Sequence, residues 1–270
     1  MKSIHETRNE INQLDQQVSK LLKERFLLLD KVLEYKILKE EQIENLQREK
    51  EVIENIASGS DKYDYHLKEI YHKIVEQSKS YQWHLLLKEN IYIIGFMAVG
   101  KTTLGKTLSQ KIQWEFLDTD LSIEEREQRK VKDIFKESGE DYFRDLEAKV
   151  IQDIHEDWIR DNDKKIIACG GGVILNPENV RTMKKNGVIV YLEGDINTIY
   201  NRISLNDSRP LLSEAKDLKR RVETLLESRQ NLYREIADIT LFVGEETPKE
   251  LVGSLIQELE HYERKRSLSE

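Results

Sequence analysis

Cysteine is nearly missing from this 270-residue chain: Cys169 stands alone, so no internal disulfide can form, and the expected setting is the reducing cytoplasm. Proline is scarce too. Only three occur, all beyond residue 176, and between Lys2 and Tyr81 the single glycine is Gly59. Nothing in that stretch has to interrupt a helix except one turn. No apolar run approaches the roughly 20 residues that cross a bilayer, and no charged n-region leads into an apolar h-region at the N-terminus. An excess of positive charge is lacking as well, with 43 Lys and Arg against 51 Asp and Glu and a net charge of −8. Neither a nucleic acid nor a membrane surface is therefore expected as a partner, whereas a small anion held by local cations is compatible with this balance. The six histidines show no metal-ligand spacing.

What is present falls into two halves, and the length itself favours two domains. In the first, Ile4, Ile11, Leu14, Val18, Leu21, Leu22, Leu28, Leu29 and Val32 recur at threes and fours. This predicts one amphipathic helix of about 35 residues, followed by helices over about 41–57 and 62–87. The first would be roughly 50 Å long, whereas a compact domain of this size is about 35 Å across. It has to project, and its apolar stripe needs a partner; we expect an intertwined homodimer of three-helix protomers over residues 1–88. From residue 89 the pattern changes. "IYIIG", "KIIACGGG" and "VIVYLEG" are short apolar runs alternating with helical stretches, which predicts an α/β domain with a parallel sheet covered on both faces.

The second half opens on "GFMAVGKT", residues 95–102, the spacing that cradles a phosphate chain. Gly95, Ala98, Val99 and Gly100 would turn backbone N–H groups toward the phosphates. Lys101 adds a charge, Thr102 offers a hydroxyl to Mg²⁺, and with Thr103 they start a helix whose positive end faces the same anion. In "FLDTD" a strand-like period of two would send Asp118 and Asp120 to one side, one to hold Mg²⁺ through water and the other to accept a proton. "GEDYFRDLE" sets Arg144 and Glu147 three apart on a helix face, where the carboxylate can orient the guanidinium. The three glycines 170–172 after an apolar strand let a ligand approach the backbone closely. Arg202 and Arg209 stand in an expected polar loop and Arg229 on a helix, Cys169 reads as a small strand residue, Trp114 and Trp158 as core, and "HYERKRSLSE" as a solvated, fraying end.

These six elements in this order, over about residues 90–265, resemble shikimate kinase. The resemblance implies ATP and Mg²⁺ as cofactors, with Thr102 and Asp118 at the metal, Asp120 at the acceptor hydroxyl, and Lys101 and Arg209 at the transferring phosphoryl group. It further implies that Arg144, Glu147, Arg229 and Gly170, Gly171 and Gly172 hold shikimate, and that Arg202 stacks on adenine. Forked arginines suit a ring carboxylate better than lysine does.

The first 90 residues hold twelve lysines but only three arginines, Arg8, Arg25 and Arg48. Arg25 lies in the apolar stripe, and Lys36 projects on the same side three turns later. A charge there is costly unless paired; snorkelling from the edge of a dimer interface is the bland explanation. The motifs "RNEINQLD", "LLKERFLLLDKVLEYK", "NLQRE" and "EQSKSYQ" resemble the all-helical class of chorismate mutase. That resemblance implies a chorismate site built from Arg25, Lys36, Asn45, Arg48, Glu49, Ser78 and Gln82 of one chain and Arg8 of the other, with Lys36 and Gln82 at the ether oxygen. Asn45 departs from the aspartate of better-known members. Together the two resemblances imply a bifunctional enzyme of aromatic biosynthesis. A non-catalytic helical module that dimerises the kinase or senses chorismate or prephenate is the alternative, and a P-loop kinase for another hydroxylated metabolite such as gluconate is the second.

Overall fold

The computed structural model describes residues 2–56, 61–204 and 218–269. The chain divides into two compact units, Met1–Leu86 and Leu87–Glu270.

The first unit contains α1 (Ile4–Leu38), α2 (Leu46–Ile56) and α3 (Asp64–Leu86). A reciprocal cap starts α1: the Ser3 hydroxyl accepts the Glu6 N–H, and the Glu6 carboxylate accepts the Ser3 N–H. At 35 residues the helix is about 50 Å long, matching the periodicity. Along it α3 packs through an edge-on contact of Phe26 with Tyr81, whose hydroxyl donates to Asp30 at 2.7 Å. Leu33 is buried, but Ile4, Ile11, Leu14, Val18, Leu21 and Leu28 of α1 are 50–69% exposed. Helix α2 begins later than the pattern predicts because Asn45 caps it, its Oδ1 accepting the Arg48 N–H at 2.9 Å.

The second unit is a five-stranded parallel sheet in the order β2-β3-β1-β4-β5. Its strands are β1 (Asn90–Gly95), β2 (Glu115–Asp118), β3 (Lys165–Ala168), β4 (Gly187–Gly194) and β5 (Ile239–Val243). Central β1 is buried at every position, as a strand covered on both faces must be, whereas the edge strand β5 alternates buried and exposed. Around the sheet run α4 (Lys101–Ile112), α5 (Thr119–Glu127), α6 (Val131–Asp161), α7 (Pro177–Asn186), α8 (Ile196–Ser204), α9 (Leu218–Ile236) and α10 (Pro248–Ser269). Since β1 is flanked by β3 on one side and β4 on the other, its C-terminal end opens onto a crevice between diverging connections, where α/β proteins bind ligands.

Two details differ from the sequence-based expectation. "HYERKRSLSE" is not a frayed end among its described residues: α10 runs on to Ser269, with Glu263 buried and Arg266 paired to Glu89 at 2.7 Å. Helix α6 is interrupted at Gly139, whose φ of 87° and ψ of 173° suit glycine alone. A Cβ at that position would meet nothing within 4 Å, so backbone conformation rather than space calls for glycine. Trp114 lies in the core as expected, and Trp158 is only half-buried.

Candidate active sites

Between β1 and α4 the chain makes a tight loop with φ of 144° at Gly95, 62° at Ala98 and 115° at Gly100. A Cβ on Gly95 would come within 2.6 Å of the Leu192 carbonyl, so this position excludes any larger residue on two grounds. Lys101 curls over the loop and donates to the carbonyls of Gly95 and Phe96 at 2.9 and 3.0 Å. From α4 the Thr102 hydroxyl donates to Asp118 Oδ2 at 2.7 Å. Arg202 belongs to the last turn of α8 rather than to a polar loop, and its Nη1 donates to the Val99 carbonyl at 2.8 Å. Lys101, Thr102, Thr103, Asp118 and Arg202 line a cavity of about 480 Å³ together with Val243, Pro248 and Leu251. Arg209 lies outside the described residues.

A second cavity of about 340 Å³ shares Met97, Thr102, Asp118, Asp120 and Gly171 with the first. The two lobes therefore meet at the aspartate pair. That pair converges for a reason other than strand periodicity. Asp118 ends β2 and caps α5, its Oδ1 accepting the N–H groups of Asp120 and Leu121, so Asp120 sits in the first helical turn.

At the far side of the second lobe, Arg144 is held between two carboxylates, Glu147 at 2.9 Å and Glu140 at 2.9 Å. Glu147 is fully buried. Burial raises its carboxyl to about 7 against the downward pull of Arg144, and the Asp120 charge pushes the same way as burial. Burial likewise pushes the Cys169 thiol well up and keeps it protonated; the residue lies just past the end of β3 rather than within the strand. Arg229, on α9, donates to the Gly171 carbonyl at 3.1 Å.

The triple glycine turns out to be a matter of space. None of the three has a positive φ, but a Cβ on Gly170 would stand 2.6 Å from Asp120 Oδ1 and 2.7 Å from Glu147 Oε1. One on Gly172 would run into the Arg144 guanidinium. Nor does the Gly170 N–H face the cavity, since it donates to the Thr119 hydroxyl at 2.9 Å. Sequence reasoning left Thr119 without a task, and it passed over Val131, Phe135 and Phe143, the apolar wall of the second lobe. The signal for Thr119 was its place between the two aspartates.

In the helical unit, Arg25 Nη1 donates to the Ser78 hydroxyl across α1 and α3. Burial lowers the Arg25 pKa, as for a cation drawn into an apolar stripe. Lys36 donates to the Ile43 carbonyl, and Glu49 pairs with Lys79 at 2.9 Å, joining α2 to α3. Gln82 is 5% exposed, and its Oε1 is buried without a hydrogen-bond partner among the described residues. Arg48 is exposed and pairs with Glu51, while Asn45 is occupied by its cap. Arg8 lies 17 residues before Arg25 on the same helix, about 25 Å away, and cannot reach the others within one chain. Lys79 is the cation that sequence reading did not single out.

Comparison with known proteins matches both units. The family model "Shikimate kinase" matches residues 97–260, more than half of the chain, and "Chorismate mutase type II" matches residues 7–83. A shikimate kinase of Sulfurihydrogenibium sp. is 38% identical over 171 residues, which is 63% of this chain and 98% of that protein. One from Dehalococcoides mccartyi is 40% identical over 176 residues, 65% of this chain and 96% of that protein. Among solved structures, the shikimate kinase of Acinetobacter baumannii in complex with shikimate aligns with a TM-score of 0.61 at 31% identity, covering 66% of this chain and 95% of that one. The chain belongs to the shikimate kinase family and carries a chorismate mutase type II domain ahead of its kinase unit.

Proposed function

We propose that this bifunctional enzyme of the shikimate pathway phosphorylates the shikimate 3-hydroxyl from ATP in its second unit and rearranges chorismate to prephenate in its first. The observation that carries the kinase reading is the joining of the two lobes at Asp118 and Asp120, with the phosphate loop on one side and two arginines on the other. The Gly95–Thr102 amides and the N-terminus of α4 receive the phosphate chain, while Lys101 and Arg209 supply charge where it builds up. Thr102 and Asp118, hard oxygens already 2.7 Å apart, fit Mg²⁺, which when bound neutralises phosphate charge. Arg144 and Arg229 take the ring carboxylate, Glu147 orients Arg144, and the Gly170–Gly172 loop admits the ring. That orientation sends the acceptor hydroxyl toward Asp120. Its proton passes to Asp120 as the new O–P bond forms and the bond to the departing ADP breaks.

In the helical unit, Arg25 and the partner subunit's Arg8 hold the two carboxylates of chorismate, with Arg48 and Ser78 in support. Lys36 and Gln82 meet the ether oxygen as its C–O bond breaks, and the buried, unpartnered Gln82 Oε1 supports a polar ligand at this place. No proton moves. The exposed apolar face of α1 supports the homodimer that this site requires.

The test is an assay of the full chain for both reactions. Asp120→Asn should lower the kinase kcat about 10²- to 10⁴-fold with prephenate formation intact, and shikimate-independent ATP turnover would overturn the kinase assignment. Absence of prephenate formation by a dimeric parent would leave the helical unit a sensing module.

A further inference from the structure

Two buried hydroxyls grip the glycine loop of the second lobe from opposite sides. On one side the Thr119 Oγ1 accepts the Gly170 N–H at 2.9 Å, and Thr119 is completely buried between Asp118 and Asp120. On the other, the Tyr233 hydroxyl donates to the Gly171 carbonyl. Tyr233 is completely buried too, its ring stacked on Tyr191 with centroids 5.1 Å apart and planes 13° from parallel. Arg229 sits one helical turn before Tyr233 and donates to that same carbonyl at 3.1 Å. The N–H of one glycine is thus tied to the aspartate element, and the carbonyl of the next to the arginine element.

We infer that Thr119 and Tyr233 are positioning residues that set, through the Gly170–Gly171 backbone, the spacing between Asp120 and Arg229. They would thereby select an acceptor with its hydroxyl and carboxylate at the separation that shikimate has. The inference rests on the shikimate kinase reading given above. A loop of three glycines has the most backbone freedom a chain can have, so an order imposed from outside is needed to hold it. Carbonyl sharing adds a second consequence. When Arg229 turns toward a carboxylate, Tyr233 still satisfies Gly171, so releasing the guanidinium leaves no buried carbonyl unpaired. Both hydroxyls bond to the glycine loop, and Asp120 and Arg229 at its two sides serve the acceptor, so the effect should fall on the acceptor far more than on ATP.

Thr119→Val keeps the shape of the side chain but leaves the Gly170 N–H buried without an acceptor, and Thr119→Ser restores the acceptor. Tyr233→Phe removes only the hydroxyl and keeps the stack. The expected result with the full chain is a shikimate KM raised about tenfold or more by Thr119→Val and by Tyr233→Phe, with the ATP KM unchanged and Thr119→Ser near the parent. Equilibrium titration of shikimate against each variant should show the same order without turnover. Because both hydroxyls act through one loop, the double variant should lose less than the product of the single losses. An unchanged shikimate KM in both single variants, or equal rises in the KM for shikimate and for ATP, would overturn the inference. A parent that fails to phosphorylate shikimate would overturn the kinase reading instead.

Discussion

Glu147 shows how one side chain can carry both a binding function and a cost. Its carboxyl titrates near 7 in the folded protein against about 4.5 in the unfolded chain, chiefly because it is buried. The folded state therefore holds this proton more tightly. The resulting contribution to stability is complete below about pH 4.5 and is lost as pH rises through about 7, a change of about 3 kcal/mol at most. Glu147→Gln has no proton to lose, so the melting temperature of the parent minus that of the variant should fall between about pH 5 and pH 8. Scanning calorimetry of both proteins across that range would check it. Gly170 is the other informative single position. A methyl there would stand 2.6 Å from Asp120 and 2.7 Å from Glu147, so Gly170→Ala should raise the shikimate KM at least about tenfold with the ATP KM preserved, as steady-state kinetics would show.

At the scale of elements, the break at Gly139 divides α6 into a first segment bearing Val131 and Phe135 and a second bearing Phe143, Arg144 and Glu147. Both parts face the same lobe. Gly139→Ala forces a side chain into a conformation that glycine alone adopts freely, and it should cost about 1–3 kcal/mol in urea unfolding, with a weaker acceptor KM. The long helices and the strand-to-helix phosphate loop were legible in the sequence because period and glycine spacing are local properties. The aspartate pair was legible as a pair, but its convergence comes from Asp118 capping α5, which a strand period does not describe. Three-glycine spacing showed that something comes close. That the close neighbours are Asp120, Glu147 and Arg144 depends on segments distant in sequence, and so does the burial of Glu263 at the end of α10. Arg202 was assigned to a loop because polar residues follow it, whereas the α8 helix carries it to the Val99 carbonyl.

For the whole molecule, the two proposed sites share no residue, and the proposed chemistries make no common demand: one would need a nucleotide and a proton acceptor, the other only shape and charge. Arg25→Ala should abolish prephenate formation while leaving shikimate phosphorylation within about twofold, and Arg144→Ala should do the converse, since substitutions with no shared partners act independently. Dilution offers a second separation. If α1 buries its exposed face against another copy, mutase activity should fall below the dissociation constant together with the dimer signal in sedimentation. The 25 Å between Arg8 and Arg25 on a single rigid helix then has a genetic consequence. If the site is shared as proposed, Arg8→Ala and Arg25→Ala should each be inactive alone, yet coexpressed they should assemble mixed dimers in which one of the two sites receives both intact arginines. About a quarter of all sites should recover, and two alleles that each fail to support growth without phenylalanine and tyrosine should together restore it.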